Sequence, residues 1–247
     1  YADAVTTVSK TYSQEIQTKE FGCGLEGVVQ SRKEDLYGIL NGADYTEWDP
    51  ENDRSIRKNY GKTTYLSSMR EQGSDLYVCL GLELEEDAPL FGLVSRLAHQ
   101  KGIDLVAEAA DEISRCGGLV ILGKGDEKYE RLALELRDKY HGKVGVRVAF
   151  DEPLAHEITA GSDFFLIPSR YEPCGLNAIY SLKYGTIPIV RATGGLDDII
   201  IPFDPESGSG NGFKFHNLSK EAILSAIREA TRVYEEKDLR ERLLQSA

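Results

Sequence analysis

A chain of 247 residues can bury one generous core and part of a second, so one or two domains are allowed. Hydrophobic content of 41% and charged content of 28% are ordinary for a soluble globular protein. The formal net charge of −12 argues against nucleic acid or an anionic membrane as main partner, because both need a cationic face, yet local Arg and Lys can still hold a small anion. In chain order, residues 3–9 read as a strand, 10–18 as a short helix, 24–33 as an amphipathic helix and Leu36 to Leu40 as a strand ending at Asn41-Gly42. Between Asp44 and Asn59 the chain turns polar, with Trp48, Asp49 and Pro50 at an expected linker. A helix is expected from Arg57 to Gln72, then an acidic solvated loop at Glu83, Glu85, Glu86 and Asp87.

From there the pattern becomes regular. Strands are predicted at Leu90–Val94, Leu119–Leu122, Val144–Phe150, Phe164–Ile167 and Thr186–Val190, the last clear one. Helices are predicted at Ile103–Arg115, Glu127–Tyr140, Pro153–Ala160 and Leu176–Tyr184 between them. Short apolar strands alternating with helices indicate an α/β fold, a Rossmann-like doubly wound parallel sheet covered on both faces. Residues 207–212 form a mobile loop by composition, and helices over 219–236 and 238–246 close the chain.

Cys23, Cys79, Cys116 and Cys174 are widely spaced and form no C-x-x-C pair, which favours reduced thiols in a cytosolic protein over disulfides or a zinc site. No run approaches the ~18 apolar residues of a membrane span, and no signal peptide opens the chain. Tyr1, in place of an initiator Met, makes the chain look like an excised piece. His99, His141, His156 and His216 have no H-x-x-x-H spacing, so no metal site is expected.

Ligands of open α/β sheets sit at the carboxyl edge, so strand-end loops are the candidates. Ser95 to Gly102 carries Arg96 at a strand end and Lys101 at a helix mouth, two cations suited to a diphosphate; alone they also fit an ordinary exposed loop. Ser169 to Leu176 follows a buried strand and opens a helix, and its Glu172 can accept two hydroxyl hydrogen bonds from a phosphorylated sugar. Thr193-Gly194-Gly195-Leu196 lets amides approach an anion, although a plain glycine turn explains it as well. Gly123-Lys124-Gly125 is a third strand-end glycine pair. Phe150 offers a flat face to a base, but an aromatic at a strand end more often belongs to the core. Cys174 fits a bystander better than a nucleophile, since no His shares its loop. The G-x-G-x-x-G match at Gly22, Gly24 and Gly27 lacks a preceding strand and is discounted as a phosphate loop.

Together, Arg96-Leu97-x-x-Gln100-Lys101-Gly102, Pro168 to Leu176, Tyr184-Gly185-Thr186-Ile187-Pro188 and Thr193 to Leu196 resemble bacterial glycogen synthases and plant starch synthases. Glu20 to Gly27 and Ile39 to Asp44 fit the same family in the same order, so the resemblance covers essentially the whole chain. It implies the carboxyl-terminal half of a GT-B glycosyltransferase that moves glucose from ADP-glucose to an α-1,4-glucan with retention and without a metal or other cofactor. Residues 1–40 would then be a remnant of the amino-terminal domain, 41–50 the crossover and 51–247 the nucleotide-sugar domain, cut short at its end. By resemblance, Arg96 and Lys101 bind the diphosphate and Glu172 holds the transferred glucose. The amides around Cys174, Gly175, Leu176 and Thr193-Gly194-Gly195 lie beside it, Phe150 falls where an aromatic meets adenine, and Asn41 near the glucose. Tyr180 replaces the second Glu of related retaining transferases, so ribose contacts must differ. The glucan would meet a domain missing here, the setting would be the cytoplasm or a plastid stroma, and the piece alone would bind ADP without turnover. A non-catalytic nucleotide-sugar-binding module, or a retaining transferase using UDP-sugars, remains open.

Overall fold

A computed structural model describes residues 2–61, 64–85 and 87–247. Two parallel sheets organise the chain. The smaller pairs β1 (Val5–Thr7) with β2 (Leu36–Gly38), linked through α1 (Lys10–Glu15) and α2 (Glu26–Ser31). The larger has six strands in the order β5-β4-β3-β6-β7-β8: β3 (Leu90–Val94), β4 (Gly118–Gly123), β5 (Val144–Val148), β6 (Phe164–Ile167), β7 (Ile187–Arg191) and β8 (Phe213–Phe215). Its helices are α3 (Tyr65–Leu80), α4 (Ile103–Cys116), α5 (Glu127–Lys139), α6 (Glu152–Gly161), α7 (Leu176–Lys183), α8 (Gly194–Ile199), α9 (Lys220–Glu235) and α10 (Lys237–Ser246).

Alternation along each strand sends neighbours to opposite faces, and both faces are covered, so the central strands β3, β4 and β6 are apolar throughout. Phe91, Leu93, Leu119 and Ile121 pack on one side with Ile103, Val106, Ile113 and, from α9, Ile223 and Ile227. Leu90, Val120 and Leu122 face the other side with Leu76 and Ile158, while Phe165, Ile167 and Val190 meet Ala178 and Leu196 there. The doubly wound sheet is therefore as expected, and all its strands end on one edge.

Several local expectations change. The helix expected at 57–72 forms at 65–80, where Gly73 allows close contact with α6: a Cβ there would stand 3.2 Å from the Gly161 carbonyl oxygen. Residues 62 and 63 lie outside the described ones, as do Tyr1 and Glu86 of the acidic loop; Glu83, Glu85 and Asp87 are exposed as expected. The strand expected to reach Phe150 ends at Val148. β8 was not anticipated, being only three residues long behind a glycine-rich run. That run is tied down instead of loose. Asn211 exchanges bonds with Ile201 at 2.7 and 2.9 Å, and Arg242 from α10 reaches the Pro205 and Glu206 carbonyls at 2.9 and 3.0 Å.

The polar stretch after Asp44 also packs firmly. Trp48 stacks on His156 at 3.7 Å and on Tyr180 at 4.6 Å, and Asp53 accepts from His156 Nδ1 at 2.7 Å and the Tyr184 hydroxyl at 2.5 Å, all three buried. A buried carboxylate is tolerated only when so partnered.

Candidate active site

Three loops meet at the carboxyl edge. The one leaving β3 buries Leu97, makes a single 3-10 turn at His99–Lys101 and stops at Gly102 (φ 70°), from which α4 starts. That turn delivers Lys101 Nζ to 2.5 Å from Glu172 Oε2, in the loop leaving β6. Ser169 Oγ donates to the same oxygen at 3.0 Å. The pair is sheltered, with side chains 23% and 13% exposed.

Backbone and side-chain bonds lock these two loops together. Arg170 N donates to the Gln100 carbonyl at 2.7 Å, and Gln100 Nε2 to the Tyr171 carbonyl at 3.0 Å. The Arg170 guanidinium forks onto Asp104 at 2.8 and 2.7 Å and reaches the His99 carbonyl at 2.8 Å. Burial would raise the Asp104 carboxyl, but the Arg170 hydrogen bonds and charge override it and hold Asp104 below its usual value. Arg191 Nη1, from the end of β7, takes the Arg170 carbonyl at 2.6 Å.

The loops enclose a cavity of about 190 Å³ lined by Ser95, Lys101, Ser169, Glu172, Cys174 and Leu176, among others. Asn177 supports its wall through the Val94 carbonyl at 3.0 Å. Of the residues singled out above, Lys101, Glu172, Cys174, Gly175 and Leu176 line this cavity. Arg96 follows the lining residue Ser95 but is not itself in the lining: exposed, it donates to Gln100 Oε1 at 3.0 Å and pairs with no carboxylate among the described residues. Asn41 comes to the Cys174 thiol. Burial raises that thiol, and hydrogen bonds from the Asn41 backbone and side chain partly offset it.

Thr193, Gly194 and Gly195 are buried directly behind Glu172, but their donors are engaged. Gly195 N donates to the Glu172 carbonyl at 2.9 Å, while Thr193 Oγ1 and Gly194 N both donate to Glu15 Oε1, at 2.8 and 3.0 Å. Phe150 is 88% exposed, so it is not a core aromatic and keeps a free face. Tyr180 lies a turn further along α7, stacked on Trp48 and away from the cavity lining. Sequence reasoning assigned no role to Ser169, Gln100, Asp104, Asn177 or Glu15. Gln100 was visible within its motif, whereas nothing local marks Glu15.

A larger cavity of about 820 Å³ opens beside Phe164 and Ile187, at the starts of β6 and β7. It is the opposite edge from the one to which the strands deliver their loops, and so not the candidate.

The arrangement can do two things chemically. Glu172, oriented by Lys101 and Ser169, presents a carboxylate to hydroxyl groups; Arg96, with exposed Lys124 after β4, leaves positive charge open to an anion. A family described as "Glycosyl transferases group 1" matches residues 81–247. The chain belongs to that family. A second family, described as "Starch synthase catalytic domain", matches residues 1–31. The glycogen synthase of Koribacter versatilis is 49% identical over 247 residues, covering 100% of this chain and 51% of that protein. That of Fervidobacterium nodosum is 47% identical over 239 residues, covering 96% and 49%. Among solved structures, the catalytic domain of starch synthase IV from Arabidopsis thaliana, bound to ADP and acarbose, superposes with a TM-score of 0.91 at 34% identity. It is covered over 52% of its length and this chain over 100%. The chain thus spans about half the length of the curated relatives it matches. The likeness to glycogen and starch synthases expected from the motifs is borne out across the whole chain, and the sheet is the carboxyl-terminal fold of a GT-B glycosyltransferase. Among the described residues no helix is long and apolar enough to cross a membrane.

Proposed function

We propose that this chain is the donor-binding half of a retaining glucosyltransferase that moves glucose from ADP-glucose to an α-1,4-glucan, in glycogen or starch synthesis in the cytoplasm or a plastid. The observation that carries the reading is the Lys101–Glu172 contact at 2.5 Å, with Arg96 joined through Gln100 to the carbonyl just before Glu172. Displacing a diphosphate requires its growing negative charge to be neutralised, and Arg96 and Lys101 supply that without a general acid. The scheme calls on no metal or cofactor. Glu172 is the orienting group: its carboxylate accepts from the glucose hydroxyls, and holding the donor in one pose is its contribution. Attack by the glucan hydroxyl from the face the diphosphate leaves retains the anomeric configuration, and the departing phosphate takes the proton. Phe150, exposed beyond β5, stacks on the base. The glucan is met by a second lobe outside this chain, so the chain alone binds ADP and turns over negligibly.

Calorimetric titration with ADP and with UDP, alongside incorporation of labelled glucose from ADP-glucose, tests the reading. ADP binding that outcompetes UDP, survives EDTA and comes without turnover is expected. Preference for UDP refutes the choice of base, and steady turnover by the chain alone refutes the account of the cleft.

A further inference from the structure

The first forty residues meet the six-stranded lobe through a reciprocal contact between α1 and α8. Glu15, at the end of α1, places Oε1 on Thr193 Oγ1 and Gly194 N. In return Asp198, in α8, accepts from the Thr11 amide at 3.0 Å and the Thr11 hydroxyl at 2.7 Å, at the start of α1. Each helix has one opening amide covered by a carboxylate of the other, Thr11 N by Asp198 and Gly194 N by Glu15.

The two halves of this contact differ in where they lead. Thr11 and Asp198 meet in an exposed setting and hold only α1. Glu15 leads into the site. The donor that follows Gly194 N is Gly195 N, and it holds the Glu172 carbonyl at 2.9 Å. Packing there is tight enough that a Cβ on Gly194 would stand 2.0 Å from that carbonyl oxygen, and one on Gly195 1.8 Å from the Cys174 carbonyl oxygen. A shift of the Thr193–Gly195 turn therefore moves the main chain of Glu172 and Cys174 with it. Glu15 also lies in the field of Arg191, whose guanidinium holds the Arg170 carbonyl two residues before Glu172. Its second oxygen, Oε2, is buried and has no hydrogen-bond partner among the described residues. The partly buried carboxylate is thus held within the fold through one oxygen, by the two donors of the turn.

We propose that Glu15 is a positioning residue for Glu172: its Oε1 fixes the Thr193–Gly195 turn, and the turn fixes the Glu172 backbone and with it the carboxylate that faces Lys101. The proposal rests on the donor-site reading given above and adds to it a group 179 residues from the turn it holds.

The test uses three variants of the chain and two measurements. Glu15→Ala removes both acceptors; Glu15→Gln keeps an acceptor oxygen for Thr193 and Gly194; Asp198→Asn weakens the docking of α1 without touching the turn. Amide hydrogen exchange is followed by mass spectrometry over peptides spanning 172–176 and 193–197, and the affinities for ADP and ADP-glucose by calorimetry. Glu15→Ala is expected to speed exchange in both peptides and to cut the preference for ADP-glucose over ADP by about tenfold, the loss of charge-assisted hydrogen bonds. Glu15→Gln should restore both to within about threefold, and Asp198→Asn should leave both within about twofold of the parent. Unchanged exchange in Glu15→Ala, no rescue by Glu15→Gln, or an equal effect of Asp198→Asn overturns the proposal, the last by reducing Glu15 to one more docking contact. If the parent chain fails to bind ADP, the donor reading falls, while the exchange data still decide whether Glu15 holds the Glu172 loop.

Discussion

Gly102→Ala puts the alignment of Lys101 with Glu172 under direct strain. Gly102 has φ 70° and ψ 26°, closes the turn that carries Lys101, and opens α4. An alanine in this left-handed conformation costs about 1–2 kcal/mol. Its Cβ would also stand 2.2 Å from the Pro168 carbonyl oxygen, a backbone atom at the end of β6 that cannot rotate away. Forced repacking of that kind costs about 1–3 kcal/mol more, so the loss should be about 2–5 kcal/mol from a total of roughly 5–15. Urea unfolding by circular dichroism measures it. The midpoint should fall by about 0.7–1.7 M at an unchanged slope of roughly 3 kcal/mol/M. Because relief comes from moving the Lys101 turn away from Pro168, ADP affinity should fall as well. Gly27→Ala is the matched control: Gly27 lies in α2 with nothing within 4 Å of a new Cβ, and alanine there should be neutral or stabilising by up to about 1 kcal/mol. A Gly102→Ala chain within about 0.5 kcal/mol of the parent would refute the reasoning.

Three further outcomes follow from named contacts. Asp104 is held below its usual 3.8, so the Arg170–Asp104 pair contributes stability above that pH and loses it as pH falls through the lowered value. With the partners 20% and 34% exposed, screening keeps this to about 1 kcal/mol, and Arg170→Met should flatten the stability profile on the acid side of the usual carboxylate range; an unchanged slope counts against the pair. Glu172→Gln leaves Lys101 without its countercharge, so ADP should bind up to about tenfold tighter while ADP-glucose loses its advantage over ADP; weaker ADP binding sinks this. Burial raises the Cys174 thiol, so iodoacetamide should modify it at least about tenfold more slowly than the exposed Cys23 and Cys79, with a rate still climbing past pH 9. Equal rates at pH 8 would contradict the burial.

Legibility in the sequence tracked how local the determining interaction is. β3, β4 and β6 are short apolar runs bounded by turn residues, and a parallel sheet covered on both faces demands that pattern. Arg96, Lys101 and Glu172 were legible because a strand end places its loop on the carboxyl edge whatever else the chain does. α3 was displaced because Gly73 reads locally as a helix breaker, whereas the crossing with α6 favours it. β8 escaped notice because pairing with β7 makes it a strand, and three residues carry no period. The run at 207–212 has the composition of a loose loop, and only Arg242 and Asn211, read in space, show it tied. Glu15 is the extreme case: its partners are 178 and 179 residues away, and no spacing rule reaches that far.

On the donor reading, the charge balance of the site accounts for an anion held by so acidic a molecule. A net charge of −12 spread over the surface is screened beyond about 8–10 Å at physiological salt, so the nearest groups decide. Lys101 is mostly sheltered, and leaving its ammonium unpaired would be costly; Glu172 neutralises it and accepts a hydrogen bond from Ser169 as well. The resting site is therefore close to neutral, with Arg96 as its exposed surplus cation. On the donor reading, a diphosphate reaching Lys101 competes with Glu172 for the same ammonium, and the freed carboxylate needs new donors. Glucose hydroxyls supply them. ADP alone does not, which favours the complete donor over its product at the point where product must leave.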